Sequence, residues 1–336
     1  MSKIPYGSMP VTPFSYEVGR DVFVNEMNEK YGHYLIYAID PYVFVWKIRE
    51  NVWAMLAPCT HRVEDNWIYL IEGPEKALFI DNGYGVGDLR GLGELLTGKK
   101  CITAPTHFHG DHAGGSGQFD EVYCHKFCAD IMRTRMNRES WDAFNHVYEE
   151  DQRRLYYLEK DMVPFWSNPT GLENHAVINL GEDYDIELIH VGGHAPGESC
   201  YLDKKGRILY TGDAYFESRD GMEGLGTGLG GGPKNEDIPH AEYKDFTYYM
   251  NQTLALAERA SEWDYCMPGH GPMDSPGRIV TDCRDAIVAA VTDPENWDEE
   301  VKTRFGVQYY MRRGLARVRY DLEKMISWKK AQEEKQ

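Results

Sequence analysis

The sequence predicts an α+β fold in which a mixed β-sheet carries helices on its outside. Three observations lead there. Apolar runs of strand length come first, two of them joined by a proline turn. Helix-spaced and strand-like stretches then alternate. Polar blocks bracketed by glycine or proline follow the strand-like runs, where open α/β sheets place their chemistry. At 336 residues the chain can bury a sizeable core, as one large domain or two ordinary ones.

Residues 1–40 form an amino-terminal extension rich in Tyr, Pro and Gly, with no clear period. It is expected to wrap the core or to join a subunit contact. From Tyr42 the pattern becomes strand-like, in Tyr42-Val43-Phe44-Val45-Trp46 and again over Val52 to Leu56. Trp67 to Glu72 and Ala77 to Asp81 flank Gly73-Pro74-Glu75-Lys76, which reads as a hairpin. After Asn82-Gly83-Tyr84-Gly85, the leucines at 89, 92, 95 and 96 have helical spacing. Lys100 to Ala104 is a strand that stops at Pro105, and Glu121 to Cys124 is another. A polar helical insertion is expected over about 126–165, with aromatics at Trp141, Phe144, Tyr148, Tyr156 and Tyr157. Ile186 to Val191 alternates as a strand does, and Ser199 to Leu202 pairs with Arg207 to Tyr210 through Asp203-Lys204-Lys205-Gly206. Tyr243 to Trp263 reads as one long helix, Asp264 to Met267 as a last short strand, and 276–336 as a mostly helical carboxy-terminal segment. Seven glycines lie between Gly221 and Gly232, but no Gly-Lys-Ser/Thr follows them. They form a loop rather than a phosphate cradle.

The formal charge of −18 argues against nucleic-acid and anionic-membrane partners, which require a positive field. No stretch approaches the ~20 apolar residues of a membrane span. Met1-Ser2-Lys3-Ile4-Pro5-Tyr6 has no apolar core of signal-peptide length. Seven cysteines, an odd number, suit free thiols and a reducing, cytoplasmic setting. Cys124 and Cys128 flank His125, but with no second Cys or His pair they read as packing residues.

The chemistry concentrates in Thr106-His107-Phe108-His109-Gly110-Asp111-His112-Ala113-Gly114-Gly115. Four metal-binding side chains occupy six positions. Extended backbone sends His107 and His109 to one side, and Gly110 permits the turn that swings Asp111 and His112 back toward them. Three further blocks at strand ends deliver donors: Gly193-His194-Ala195-Pro196-Gly197, Thr211-Gly212-Asp213 and Pro268-Gly269-His270-Gly271-Pro272. Imidazole and carboxylate donors suit zinc, and also iron, cobalt or manganese.

In this order, the set resembles the metallo-β-lactamase superfamily, whose pattern is His-x-His-x-Asp-His followed by a His, an Asp and a final His. Asp81-Asn82-Gly83 resembles that family's Asp-x-Gly turn. The resemblance spans about residues 41–275 and implies a four-layer αββα sandwich of two mixed sheets flanked by helices. It implies two divalent ions, zinc foremost with iron or manganese as options. His107, His109 and His194 would hold one ion, Asp111, His112 and His270 the other, and Asp213 would bridge them. Asp111 would also orient a nucleophilic hydroxide shared by the ions, and Asp81 would support a ligand histidine. His125, His175 and His190 fall outside the pattern and read as structural.

The implied activity is hydrolysis of an ester, lactone or thioester of a small metabolite. Within the family, the common zinc β-lactamases carry Cys at the position of Asp213, and flavodiiron proteins carry Glu at that of His109. The residues after Asp213 depart from the glyoxalase II element, and Phe216 stands where quorum-signal lactonases have Tyr. A small-molecule phosphodiesterase is the first alternative, with Arg219 and Lys234 as the nearby cations. An iron-dependent oxygen or persulfide redox enzyme is the second. Tyr215, Phe216, the glycine loop and the aromatics between Trp141 and Trp166 are expected to wall the pocket. A small-molecule substrate is the expected partner, with a homo-oligomer left open.

Overall fold

Strands β1 (Phe44–Arg49), β2 (Val52–Ala57), β3 (Asn66–Glu72) and β4 (Lys76–Ile80) pair antiparallel in sequence order, and β5 (Lys100–Ala104) joins β4 in parallel. A parallel neighbour needs a crossover, which α2 (Leu89–Thr97) provides. The preceding α1 (Arg20–Tyr31) lies in the computed structural model, which describes residues 20–57, 65–137, 163, 166–219, 225–226, 238–303 and 306–334. The β3–β4 pairing sets Glu72 against Ala77, so the proline turn forms the expected hairpin. Asp88 caps α2 by accepting from the Gly91 amide at 2.8 Å, and Gly98 ends it in the left-handed region.

Alternation along the strands decides which side chains meet the helices. Ile68, Leu70, Ala77 and Phe79 share one core cluster with Leu89 and Leu92 of α2 and with Cys128, Ala129 and Met132 of α4 (Lys126–Arg135). Burying each of the larger side chains contributes about 1.5–3 kcal/mol. Gly93 is a glycine because a Cβ there would stand 2.5 Å from the Phe79 ring. Leu95 is the exception to the leucine pattern, being mostly exposed. The short α3 (Gly110–Ala113) follows β5, and β6 (Tyr123–His125) pairs in parallel with β7 (Thr170–Leu172). An antiparallel pair, β8 (Val177–Asn179) and β9 (Asp185–His190), follows.

The chain divides into two units, Met1–Ile189 and His190–Gln336, and the division falls within β9. In the second unit β10 (Ser199–Asp203) and β11 (Ile208–Gly212) form the expected hairpin, with Asp203 accepting from the Gly206 amide. A two-residue strand, β12 (Leu225–Gly226), and a helix, α5 (Phe246–Ala257), come next. β13 (Tyr265–Pro268) then runs parallel to β11, and β14 (Ser275–Pro276) closes that edge. After α6 (Ile279–Thr292), the strands β15 (Glu299–Thr303), β16 (Gly306–Arg313) and β17 (Ala316–Tyr320) form an antiparallel ribbon, with β12 added in parallel to β17. The chain continues into α7 (Leu322–Glu333).

Three sequence expectations change here. The featureless extension contains α1, which buries Val24 and Met27 and little else, too narrow a stripe to show a period. The long helix over 243–263 is shorter: Asp245 caps α5 by accepting from Thr247 and Tyr248 amides, and only a 3₁₀ turn over Ala260–Glu262 continues it. The carboxy-terminal segment is not mostly helical, because 299–303, 306–313 and 316–320 are strands. Its charges obscured the alternation: Arg317 is buried against the Tyr310 ring at 3.9 Å and bonds Glu299, while Arg312 and Arg313 pair with Glu299 and Asp298. Residues 138–162, Lys234 and most of the glycine loop lie outside the described residues. Among the described residues no helix is long and apolar enough to cross a membrane.

Candidate metal centre

Each unit holds a cluster of donors. In the first unit the parallel pairing of β4 and β5 puts their carboxyl ends side by side, so Asp81 and Thr106 meet. Asp81 Oδ1 accepts from the Thr106 amide at 2.7 Å and from its hydroxyl at 3.0 Å. Asp81 Oδ2 accepts from His112 Nδ1 at 2.7 Å. With the Thr106 proton committed to Asp81, the hydroxyl oxygen is left to accept from His107 Nδ1 at 3.1 Å. Both imidazoles therefore carry their proton on Nδ1 and present a lone pair on Nε2, the tautomer fixed by partners in the way metal-binding histidines require.

His107 Nε2 lies 2.9 Å from His109 Nδ1, and His112 Nε2 lies 3.4 Å from Asp111 Oδ2. Two ligands about 2.0–2.1 Å from one ion at 90–110° stand about 2.9–3.4 Å apart. Both pairs fit. His107 and His112 are fully buried, whereas His109 and Asp111 are half-buried. The segment is fixed from below by Asn82, whose amide donates to the His112 carbonyl while its side chain bonds Thr103, Ser116 and the Gly115 amide. A Cβ on Gly115 would come within 2.3 Å of the Asn82 carbonyl, so glycine is required there.

Just past β9, the second unit runs through Gly192 and Gly193, both at positive φ, to His194. Buried His190 holds this loop: Nε2 donates to the Pro196 carbonyl at 2.7 Å and Nδ1 accepts from the Tyr248 hydroxyl at 2.8 Å. The parallel β11–β13 pairing carries on past the strands through a bond from the Gly269 amide to the Gly212 carbonyl, which sets His270 beside Asp213. Asp213 Oδ2 lies 3.3 Å from His194 Nε2, and Oδ1 lies 3.5 Å from His270 Nε2. One carboxylate thus faces a different imidazole with each oxygen.

All seven expected donors therefore fall into these two clusters, and Asp81 bonds His112 directly. Tyr215 does not wall a pocket. The Thr211 hydroxyl bonds the Tyr215 carbonyl and turns the ring inward, where it stacks on Tyr249 at 5.9 Å and bonds Thr253. Burial pushes its phenol well above the usual range. Phe216 is half-buried, and Arg219 is engaged by Glu217 at 2.9 Å. His125 accepts from the Phe127 amide at the start of α4, and His175 pairs with Glu187. The six described cysteines are buried free thiols, with Cys101 pushed up to about 12 mainly by burial. Sequence reasoning passed over Glu198, a fully buried carboxylate that accepts from the Asp213 amide at 3.1 Å. A lone charge at the head of the apolar run Ser199-Cys200-Tyr201-Leu202 was the available signal.

A family model described as the metallo-beta-lactamase superfamily matches residues 61–297. The chain belongs to the metallo-beta-lactamase superfamily. Its fold is accordingly the metallo-β-lactamase fold, α+β with mixed sheets and helices. The acyl-coenzyme A thioesterase MBLAC2 of Bos taurus is 26% identical over 227 residues, covering 60% of this chain and 72% of that protein. Hydroxyacylglutathione hydrolase GloC of Haemophilus influenzae is 23% identical over 182 residues, covering 54% of this chain and 74% of the relative. Among solved structures, DIM-1 metallo-beta-lactamase exposed to ceftazidime aligns with a TM-score of 0.51 at 17% identity, over 75% of this chain and 99% of that one. That likeness concerns the fold. Within the superfamily's motif, the imidazole and carboxylate donors of this chain are compatible with divalent metal binding.

Proposed function

We propose that the protein is a dinuclear metal-dependent hydrolase that releases an acyl group from a small carrier, a thioester first among ester, lactone and thioester. The Asp213 carboxylate carries this reading, because each of its oxygens faces a different histidine, the arrangement expected of a ligand shared by two cations. On this reading the two clusters act together. His107, His109 and His194 would hold one ion, Asp111, His112 and His270 the second, and Asp213 would be shared by both. Zinc suits the donor set best, with iron or manganese as options.

Metal bound there would supply a coordinated water of lowered pKa and a Lewis acid for the scissile carbonyl. The chain's own residues do the rest. Asp81 and Thr106 lock the tautomers of His112 and His107, so the donor lone pairs are in place before metal arrives. Asp111 and Asp213 supply two of the negative charges that offset the cations, and Asp111 accepts a hydrogen bond from the attacking water and orients it. The preference for a thioester rests on two relatives, one named for acyl-coenzyme A and the other for hydroxyacylglutathione. Phe216 is the remaining candidate for the substrate wall. The buried free thiols support a reducing, cytoplasmic location.

The test is a substrate panel of an acyl-coenzyme A, an aryl ester, a lactone and a phosphodiester, each with and without chelator. The expected result is acyl-thioester hydrolysis that chelator abolishes and added zinc restores. Turnover of the phosphodiester alone, or hydrolysis indifferent to chelator, contradicts the proposal.

A further inference from the structure

Glu198 is fully buried, and burying a carboxylate is costly unless its bonds are made good. Its backbone closes the loop around His194: the Glu198 carbonyl accepts from the Val191 and Gly192 amides at 2.9 and 3.0 Å, and its own amide donates to the Ala195 carbonyl at 3.1 Å. The β10–β11 register pairs Tyr201 with Tyr210 and Leu202 with Leu209. Residues 198 and 213 continue that register beyond the ends of both strands. At that point Gly212 takes φ +50 and the backbone leaves the ladder. The Glu198 side chain makes a bond there instead, with Oε1 accepting from the Asp213 amide at 3.1 Å.

We infer that Glu198 is a positioning residue that ties the His194 loop to Asp213 and so sets the 3.3 Å spacing between their donor atoms. The inference deepens the proposed function, since that spacing matters to the chemistry only if the two side chains hold metal. What counts is the reach of the side chain and its acceptor oxygen. The negative charge is secondary. Glutamine keeps the reach and an acceptor while removing the charge, and aspartate keeps the charge but draws the oxygen back by one methylene.

The experiment compares wild type, Glu198→Gln and Glu198→Asp in two readouts. The first is hydrogen exchange at the Asp213 amide in chelator-treated protein. The second is zinc retention against a competing chelator. The expected result is near wild-type behaviour for Glu198→Gln. For Glu198→Asp, amide exchange should be at least about tenfold faster and zinc affinity about 10–100-fold weaker, the range seen when outer partners of metal ligands are lost. Wild-type protection in Glu198→Asp overturns the inference, and so does a Glu198→Gln variant as impaired as Glu198→Asp, which would assign the role to charge. Should Glu198→Asp fail to fold, retained protection in Glu198→Gln supports the inference and lost protection overturns it. If wild type retains no zinc, the proposed function fails, while amide exchange still decides the role of Glu198.

Discussion

In the first unit four donors occupy six consecutive residues, from His107 to His112, and they are held by side chains from a neighbouring strand end. In the second unit His194, Asp213 and His270 are separated by 19 and 57 residues, and strand register, glycine turns and one buried glutamate hold them. The first cluster therefore depends on the chemistry of single side chains, chiefly Asp81 and Thr106. The second depends on backbone placement, which a substitution disturbs only by shifting a loop. Contiguous donors need a partner to choose their tautomers, and dispersed donors need a scaffold to choose their distances.

The largest expected effect probes the side-chain cluster. Both Asp81 oxygens accept hydrogen bonds, from Thr106 on one side and His112 on the other. Asp81 sits at φ +61, which asparagine tolerates well, so Asp81→Asn keeps the backbone. An amide has only one acceptor oxygen, so one of the two contacts must be lost. Metal affinity should fall about 10–100-fold, measured by chelator competition, with little change in the circular dichroism spectrum. Unchanged affinity would mean that the first cluster does not rely on tautomer control, and the contrast between the clusters would collapse.

This contrast also explains what could be read from sequence. The His107 to His112 block was legible because donors and turn glycine lie together, and the β3–β4 and β10–β11 hairpins were legible from their turn residues. His194, Asp213 and His270 were each ambiguous alone and became readable only as an ordered set, since their proximity depends on strand register. Glu198 was missed because a lone charge at the head of an apolar run does not name its partner, an amide fifteen residues on. Tyr215 was misplaced because the Thr211 bond that turns it inward is a tertiary detail. The β15–β17 ribbon was missed because its arginines look solvated until Glu299, Asp298 and the Tyr310 ring are in view.

The smallest expected effect lies outside both clusters and sets the scale of an ordinary surface contact. Bonds from Lys100 and then Tyr123 hold the Glu121 carboxyl below its usual range. A depressed carboxylate stabilises the fold above its unfolded pKa, about 4.3, and that contribution is lost as pH falls through the lower folded value. At pH 7 the Glu121→Gln variant should melt roughly 1–2 °C below wild type, and the gap should close at pH 3. A gap that widens in acid would reverse the sign.

The proposed function needs about two divalent ions per chain, and metal stoichiometry tests it most directly. Elemental analysis of protein purified without chelator should find about two divalent ions per chain, chiefly zinc. Well-folded protein that carries no metal, and takes up none when zinc is supplied, would contradict it.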